Sequence, residues 1–288
     1  MGDWLARTLS DDGTVRGLAA VTTDLVEDAR CRHGTLPTAT AALGRALTAA
    51  LLLGDLLKDG ERLSLEIAGD GPLGKILVDA VPGGAVRGFV ARPATHVPPR
   101  RGKLDVGRAV GAGFLCVMRV PVAGGVPYRS VVPLVSGEIG SDVASYLAGS
   151  EQTPSAVGIG VFVEADGRVG AAGGYLLQAM PGAEPGTIAR LERNVAEAPP
   201  PSDLVRQGLD ASAILARLLD GFPTRPLEGH EVAYRCRCTR DRALAAVVAM
   251  GRDELLDVLA REQVADVVCE FCGERYRVEE PELRGLLG

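Results

Sequence analysis

The chain has 288 residues, 47% of them hydrophobic and only 4% aromatic, so it can build one large core or two domains filled mainly by Leu, Val and Ala. Its formal net charge of -6 argues against nucleic acid or an anionic membrane as the partner. The start, MGDWLARTLSDDG, lacks the basic and apolar regions of a secretory signal.

Residues 13–22 read as a strand and Leu25 to Arg32 as a short helix. The most apolar stretch, 38–58, carries Arg45 and Asp55 and is broken by Gly44 and Gly54, which predicts a buried core helix and not a membrane span. A cytoplasmic location with reduced thiols is the expectation. RLSLEIA at 62–68 alternates Leu63, Leu65 and Ile67 on one face, the period of a half-buried strand. Turns at 69–72 and 82–84 join it to KILVDA, 75–80, and AVRGFVA, 85–91, as a meander. Residues 92–107, rich in Pro, Arg and Gly, read as a loop.

Strands follow at 113–122 and 127–135, then a helix over about 137–150 with Ser136 as its cap, then a hairpin of 157–165 with 169–180. Residues 1–180 are therefore expected to form an α+β domain with a mainly antiparallel sheet. From 181 the composition shifts. Ile188, Leu191 and Val195 share one helical face, and a second helix is expected over about 203–220. This stretch, 181–230, reads either as a linker with docking helices or as a marginal segment able to order and melt. In the last part, 231–288, Thr239 and Gly251 bound a helix with Leu244, Val247 and Val248 inward. A helix at about 253–262 and two short strands complete it.

Four of the six cysteines fall in RCRC at 235–238 and CEFC at 269–272. CxxC followed by Gly is a knuckle that turns two thiolates toward one ion. In an extended CxC the two cysteines point to the same face. Cys236, Cys238, Cys269 and Cys272 are thus candidate ligands for one zinc ion, with an iron–sulfur cluster as the rival. A domain this small, with few aromatics, often needs a staple. Arg235, Arg237 and Arg240 crowd the first pair, which favours reactive thiolates.

The CxC, the thirty-residue gap and the CxxCG together resemble the redox-regulated 33 kDa heat-shock chaperone family. The likeness extends to GDGPLG near 70–74, VRGFVARP at 86–93, YRSVVPL at 128–134, SYLAGSEQTPS at 145–155 and AAGGYLLQAMPGA at 171–183. It is thinnest over about 184–230. The resemblance implies an ATP-independent holdase, inactive when reduced and zinc-bound. It implies disulfides Cys236–Cys238 and Cys269–Cys272 on oxidation, loss of zinc, and unfolding of the C-terminal domain and of the linker at 181–230. It implies a homodimer when oxidised and unfolding proteins as partners. The competing reading is a constitutive zinc-ribbon adaptor for protein or RNA.

Elsewhere, Cys116 reads as inert core, and Cys31 with His33 as a poorly placed pair. His96 and His230 read as solvated, and GDGPLG as a turn and not a phosphate loop. No motif of an enzyme is found, and no catalytic residue is expected.

Overall fold

The computed structural model describes residues 2–122 and 125–287. It divides into two compact units between Tyr234 and Arg235.

In the first unit, β1 (Trp4–Ser10) and β2 (Val15–Val21) pair antiparallel and lead into α1 (Thr23–His33). Helix α2 (Pro37–Gly54) starts with Pro at a position where the missing N–H costs nothing. Its residues are buried nearly all round. The reason is placement: one side meets the meander β3 (Arg62–Gly69), β4 (Lys75–Val81) and β5 (Ala85–Val90). The helix ends at Gly54, short of the expected residue 58, and Asp55 caps it.

Next come a short α3 (Val106–Val110), inside what reads as loop, then β6 (Gly113–Val120) and β7 (Tyr128–Pro133). Helix α4 (Gly140–Gly149) is not capped by Ser136. The buried Asp142 carboxylate does the work instead, accepting N–H bonds from Val135, Ser136, Gly137 and Ile139. Strands β8 (Ser155–Val163) and β9 (Val169–Ala179) form the expected hairpin, and they meet the other side of α2.

Residues 185–218 carry α5 (Pro185–Glu197), α6 (Pro201–Arg206) and α7 (Ala211–Leu218). The single helix expected at 203–220 is split. Gly208 takes a left-handed φ of 86°, and the Asp210 side chain accepts the Ala213 N–H to start a new helix. Two strands that the sequence did not announce close the unit, β10 (Thr224–Glu231) and β11 (Ala233–Tyr234).

The antiparallel structure is thus two sheets. One has the order β10-β1-β2-β9-β8, the other β11-β5-β4-β3-β6-β7, and only the β11–β5 pair is parallel. Between them lies α2. The outer face of the five-stranded sheet is covered by the 185–218 helices: α6 lies on β8 and β9, α7 on β1 and β2. There Leu191, Leu204, Ile214, Leu215, Leu218 and Leu219 pack against Ala6, Val15, Ala19, Val21, Tyr175 and Leu177.

The second unit contains α8 (Arg240–Ala249), α9 (Arg252–Arg261), the hairpin β12 (Val264–Val268) with β13 (Arg275–Glu279), and α10 (Glu280–Gly285). Thr239 caps α8 by accepting the Arg242 N–H. Gly251, expected to close α8, instead opens α9 with a φ of 96°. Val248 faces solvent, while Ala243 and Val247 turn inward. The core is small: Val247, Leu255, Leu259, Val278 and Leu283.

Candidate metal centre

Both cysteine pairs belong to the second unit. Along Arg235–Cys238 burial alternates, with the arginines exposed and the cysteines half-buried. An extended backbone does this, because alternate side chains point to opposite faces. Cys269 and Cys272 lie in the turn between β12 and β13. The Cys269 N–H donates to the Glu274 carbonyl at 2.9 Å, and the Cys272 and Gly273 N–H groups both donate to the Cys269 carbonyl, at 3.3 and 2.8 Å. Gly273 completes the turn at φ 74°, where a side chain would be strained.

The two segments bring all four sulfurs within 4.8 Å of one another. Cys236 Sγ is 3.7 Å from Cys269 Sγ, and Cys238 Sγ is 3.4 Å from Cys272 Sγ. A tetrahedron built on metal–sulfur bonds of about 2.3 Å has edges of about 3.8 Å. The set therefore fits one tetrahedral ion. An iron–sulfur cluster would spread its four thiolates over two or more irons, and hence hold the set wider apart.

Burial pushes the Cys269 and Cys272 thiols up, and neighbouring thiols add to the effect. A cation at the centre reverses that preference, since coordination deprotonates a thiol. One partner was not foreseen: the Tyr276 hydroxyl donates to Cys238 Sγ at 3.1 Å, and this bond pushes the phenol pKa up. Arg240, expected to act on the first pair, is engaged elsewhere. Its guanidinium donates to Glu282 at 2.5 Å and to the Arg277 carbonyl at 3.1 Å.

The Hsp33 protein family model matches residues 3–279. The chain belongs to the Hsp33 family. It is 47% identical over 285 residues to the 33 kDa chaperonin of Geobacter sulfurreducens, covering 99% of this chain and 94% of that protein. To the 33 kDa chaperonin of Geobacillus kaustophilus it is 43% identical over 287 residues, covering 99% and 98%. The crystal structure of the 33 kDa chaperonin from Thermotoga maritima matches with a TM-score of 0.93 at 37% identity, over 100% of this chain and 98% of that one. Hsp33 is a chaperone family, and the redox-regulated chaperone function expected from the sequence fits this membership. No helix among the described residues is long and apolar enough to cross a membrane.

The remaining candidates lie in the first unit. Cys31 is exposed beside Glu27 and Arg30, while His33 Nε2 sits 3.1 Å from the Tyr234 hydroxyl, so the two do not form a pair. Cys116 is buried and accepts from Arg129 Nε at 3.2 Å. GDGPLG joins the antiparallel strands β3 and β4, as a turn should. His96 is exposed but bonded to Thr38 Oγ1. His230 departs from expectation: it is mostly buried, 3.5 Å from the buried carboxylate of Asp55. Nothing in its Gly-containing local sequence signals that partner.

Proposed function

We propose that this protein is a cytoplasmic, ATP-independent holdase in which Cys236, Cys238, Cys269 and Cys272 are both the ligands of one zinc ion and the redox switch. Residues 1–180 are the chaperone core, 181–230 the regulatory linker and 231–288 the zinc-binding switch domain. Bound zinc would supply a cross-link between the CxC arm and the β12–β13 turn. The observation that carries the reading is the aliphatic face of the five-stranded sheet, covered by α5–α7.

Oxidation acts on the thiols directly. With hypochlorous acid, two thiols lose two electrons and two protons, one S–S bond forms, and chloride, water and one proton leave. All four sulfurs lie within 4.8 Å, so separation alone does not choose the partners. The pairing that the family resemblance implies is Cys236 with Cys238 and Cys269 with Cys272. Once both disulfides have formed, no thiolate is left as a ligand. The small core of the second unit then loses its staple, the linker undocks, and the apolar face grips unfolding proteins as a homodimer.

The test treats the zinc-loaded protein with hypochlorous acid, or with peroxide and heat. Zinc release is followed with a chromogenic chelator, and client aggregation by light scattering. Suppression of aggregation should track release. Release without suppression refutes the holdase reading and leaves the structural zinc ribbon.

A further inference from the structure

Outside the switch, the first unit holds a cation cluster that the chaperone reading does not use. In an acidic chain, Arg100, Arg101 and Lys103 stand together on a tight hairpin. Arg100 N–H donates to the Lys103 carbonyl at 2.8 Å, and Lys103 N–H to the Arg100 carbonyl at 3.0 Å. Arg101 and Gly102 both take positive φ, 51° and 74°, as a two-residue hairpin turn of this hand requires. All three cations are exposed. Among the described residues, none of them has a carboxylate within ion-pair distance.

The hairpin borders a cavity of about 490 Å³ whose lining also includes Arg45, Asp105 and Glu138. Arg45 is the only charged residue of α2, a helix otherwise buried in the apolar core. Its Nε is buried without a hydrogen-bond partner, an uncommon state for a buried donor. The two carboxylates of the lining are already engaged. Glu138 accepts from Arg45 Nη1 and from the Gly107 N–H, and Asp105 caps α3 through the Arg108 N–H. Four cations against two satisfied carboxylates leave the cavity with a positive balance and unused donors.

We propose that this cavity binds an oligophosphate, a short chain of linked phosphates either free or carried on a nucleoside. Guanidinium forks match phosphate oxygens in pairs, and a flexible Lys supplies a movable third charge. Three exposed cations in one turn span successive phosphates better than they hold a single small anion.

The test is calorimetric titration of the intact, reduced, zinc-loaded protein with tripolyphosphate at near-physiological salt, with ATP and adenosine as parallel arms. Saturable binding of tripolyphosphate and ATP at similar affinity, with none of adenosine, is expected. The exposed triple variant Arg100→Gln, Arg101→Gln, Lys103→Gln should keep its melting temperature and weaken binding by about tenfold or more. Glu138→Gln, which frees Arg45 from its carboxylate, should tighten it. Absence of tripolyphosphate binding, ATP binding without it, or a triple variant that binds like wild type overturns the proposal. So does single-stranded RNA binding more tightly than tripolyphosphate through the same residues.

Discussion

Gly160→Ala tests whether docking of the linker helices conceals the client surface. Gly160 lies on β8 under the first turn of α6. A Cβ there would stand 2.7 Å from the Ser202 backbone nitrogen, 2.8 Å from its Oγ and 3.0 Å from its Cβ. The hydroxyl can rotate away, but the backbone nitrogen cannot, so the helix must lift. Overpacking of this kind costs about 1–3 kcal/mol, which lowers the ratio of docked to undocked linker by roughly 5- to 150-fold. No apolar surface is removed from either partner. Hydrogen exchange of the α6 amides in the reduced, zinc-loaded protein should accelerate by that factor. The same protein should suppress client aggregation in part without any oxidant. Gly149→Ala, where an added Cβ meets nothing within 4 Å, serves as control and should change neither. If α6 loosens and the protein stays inert against aggregation, the covered sheet face is not what holds clients.

Three further outcomes are expected. Chelation of zinc, or Cys272→Ser, should melt α8–α10 and the β12–β13 hairpin and loosen α5–α7, while the two sheets and α2 of the first unit stay folded. Zinc binding at such sites is worth about 10–16 kcal/mol, comparable to everything that burial of Val247, Leu255, Leu259, Val278 and Leu283 supplies at about 1.5–3 kcal/mol each. Far-UV circular dichroism with and without chelator reads this out, and an unchanged spectrum refutes it. Tyr276→Phe removes the donor to Cys238 and should weaken zinc about tenfold, as losses next to a ligand do; a competition titration with a chromogenic chelator measures it. Asp3, buried at the start of α1, has its carboxyl pKa pushed up to about 6 by desolvation, against N–H bonds from Leu25 and Asp24 that lower it. The native state therefore holds this proton more tightly than the unfolded chain. The resulting stability is full below the unfolded pKa of 3.8 and is lost as pH rises through about 6. Relative to Asp3→Asn, wild type should lose about 2 kcal/mol between roughly pH 4.5 and 7.5. Urea unfolding followed by fluorescence of Trp4, the chain's only Trp, checks the difference.

The meander β3–β5 was legible because one face of each strand rests on α2, which writes a two-residue period into Leu63, Leu65 and Ile67. The strands that escaped notice lack that signature for physical reasons. The β1–β10 register shifts between Leu5 and Arg7, which breaks the alternation. Strand β10 contains Pro226 and Gly229 and is mostly exposed, a composition that an edge strand tolerates and that reads as a loop. The glycines of β8 have their reason in segments distant in sequence: Gly158 sits under the Tyr175 ring and Gly160 under Ser202. At the site, the cysteine spacing was sufficient to find all four sulfurs. Tyr276 was invisible because its approach to Cys238 depends on the hairpin register, which sets it opposite Val267.

The build of α5–α7 suits the proposed release of the linker by so local an event. Helices α5, α6 and α7 span only 13, 6 and 8 residues, and helices this short are marginal in water without tertiary support. Prolines at 199–201 and the left-handed Gly208 prevent them from merging into one longer, self-sufficient helix. They are helical because the sheet face holds them. The helical stretch 185–218 is nevertheless fixed at both ends, by β9 ending at Ala179 and by β10 beginning at Thr224, so residues 224–230 of the proposed linker stay paired within that same sheet. An undocked linker is therefore a closed loop and not a free tail, so its effective concentration over the vacated face stays high. On the proposed reading, a client's apolar segment would have to compete with it for the same aliphatic patch, and that competition would return the face to the linker once the support is restored.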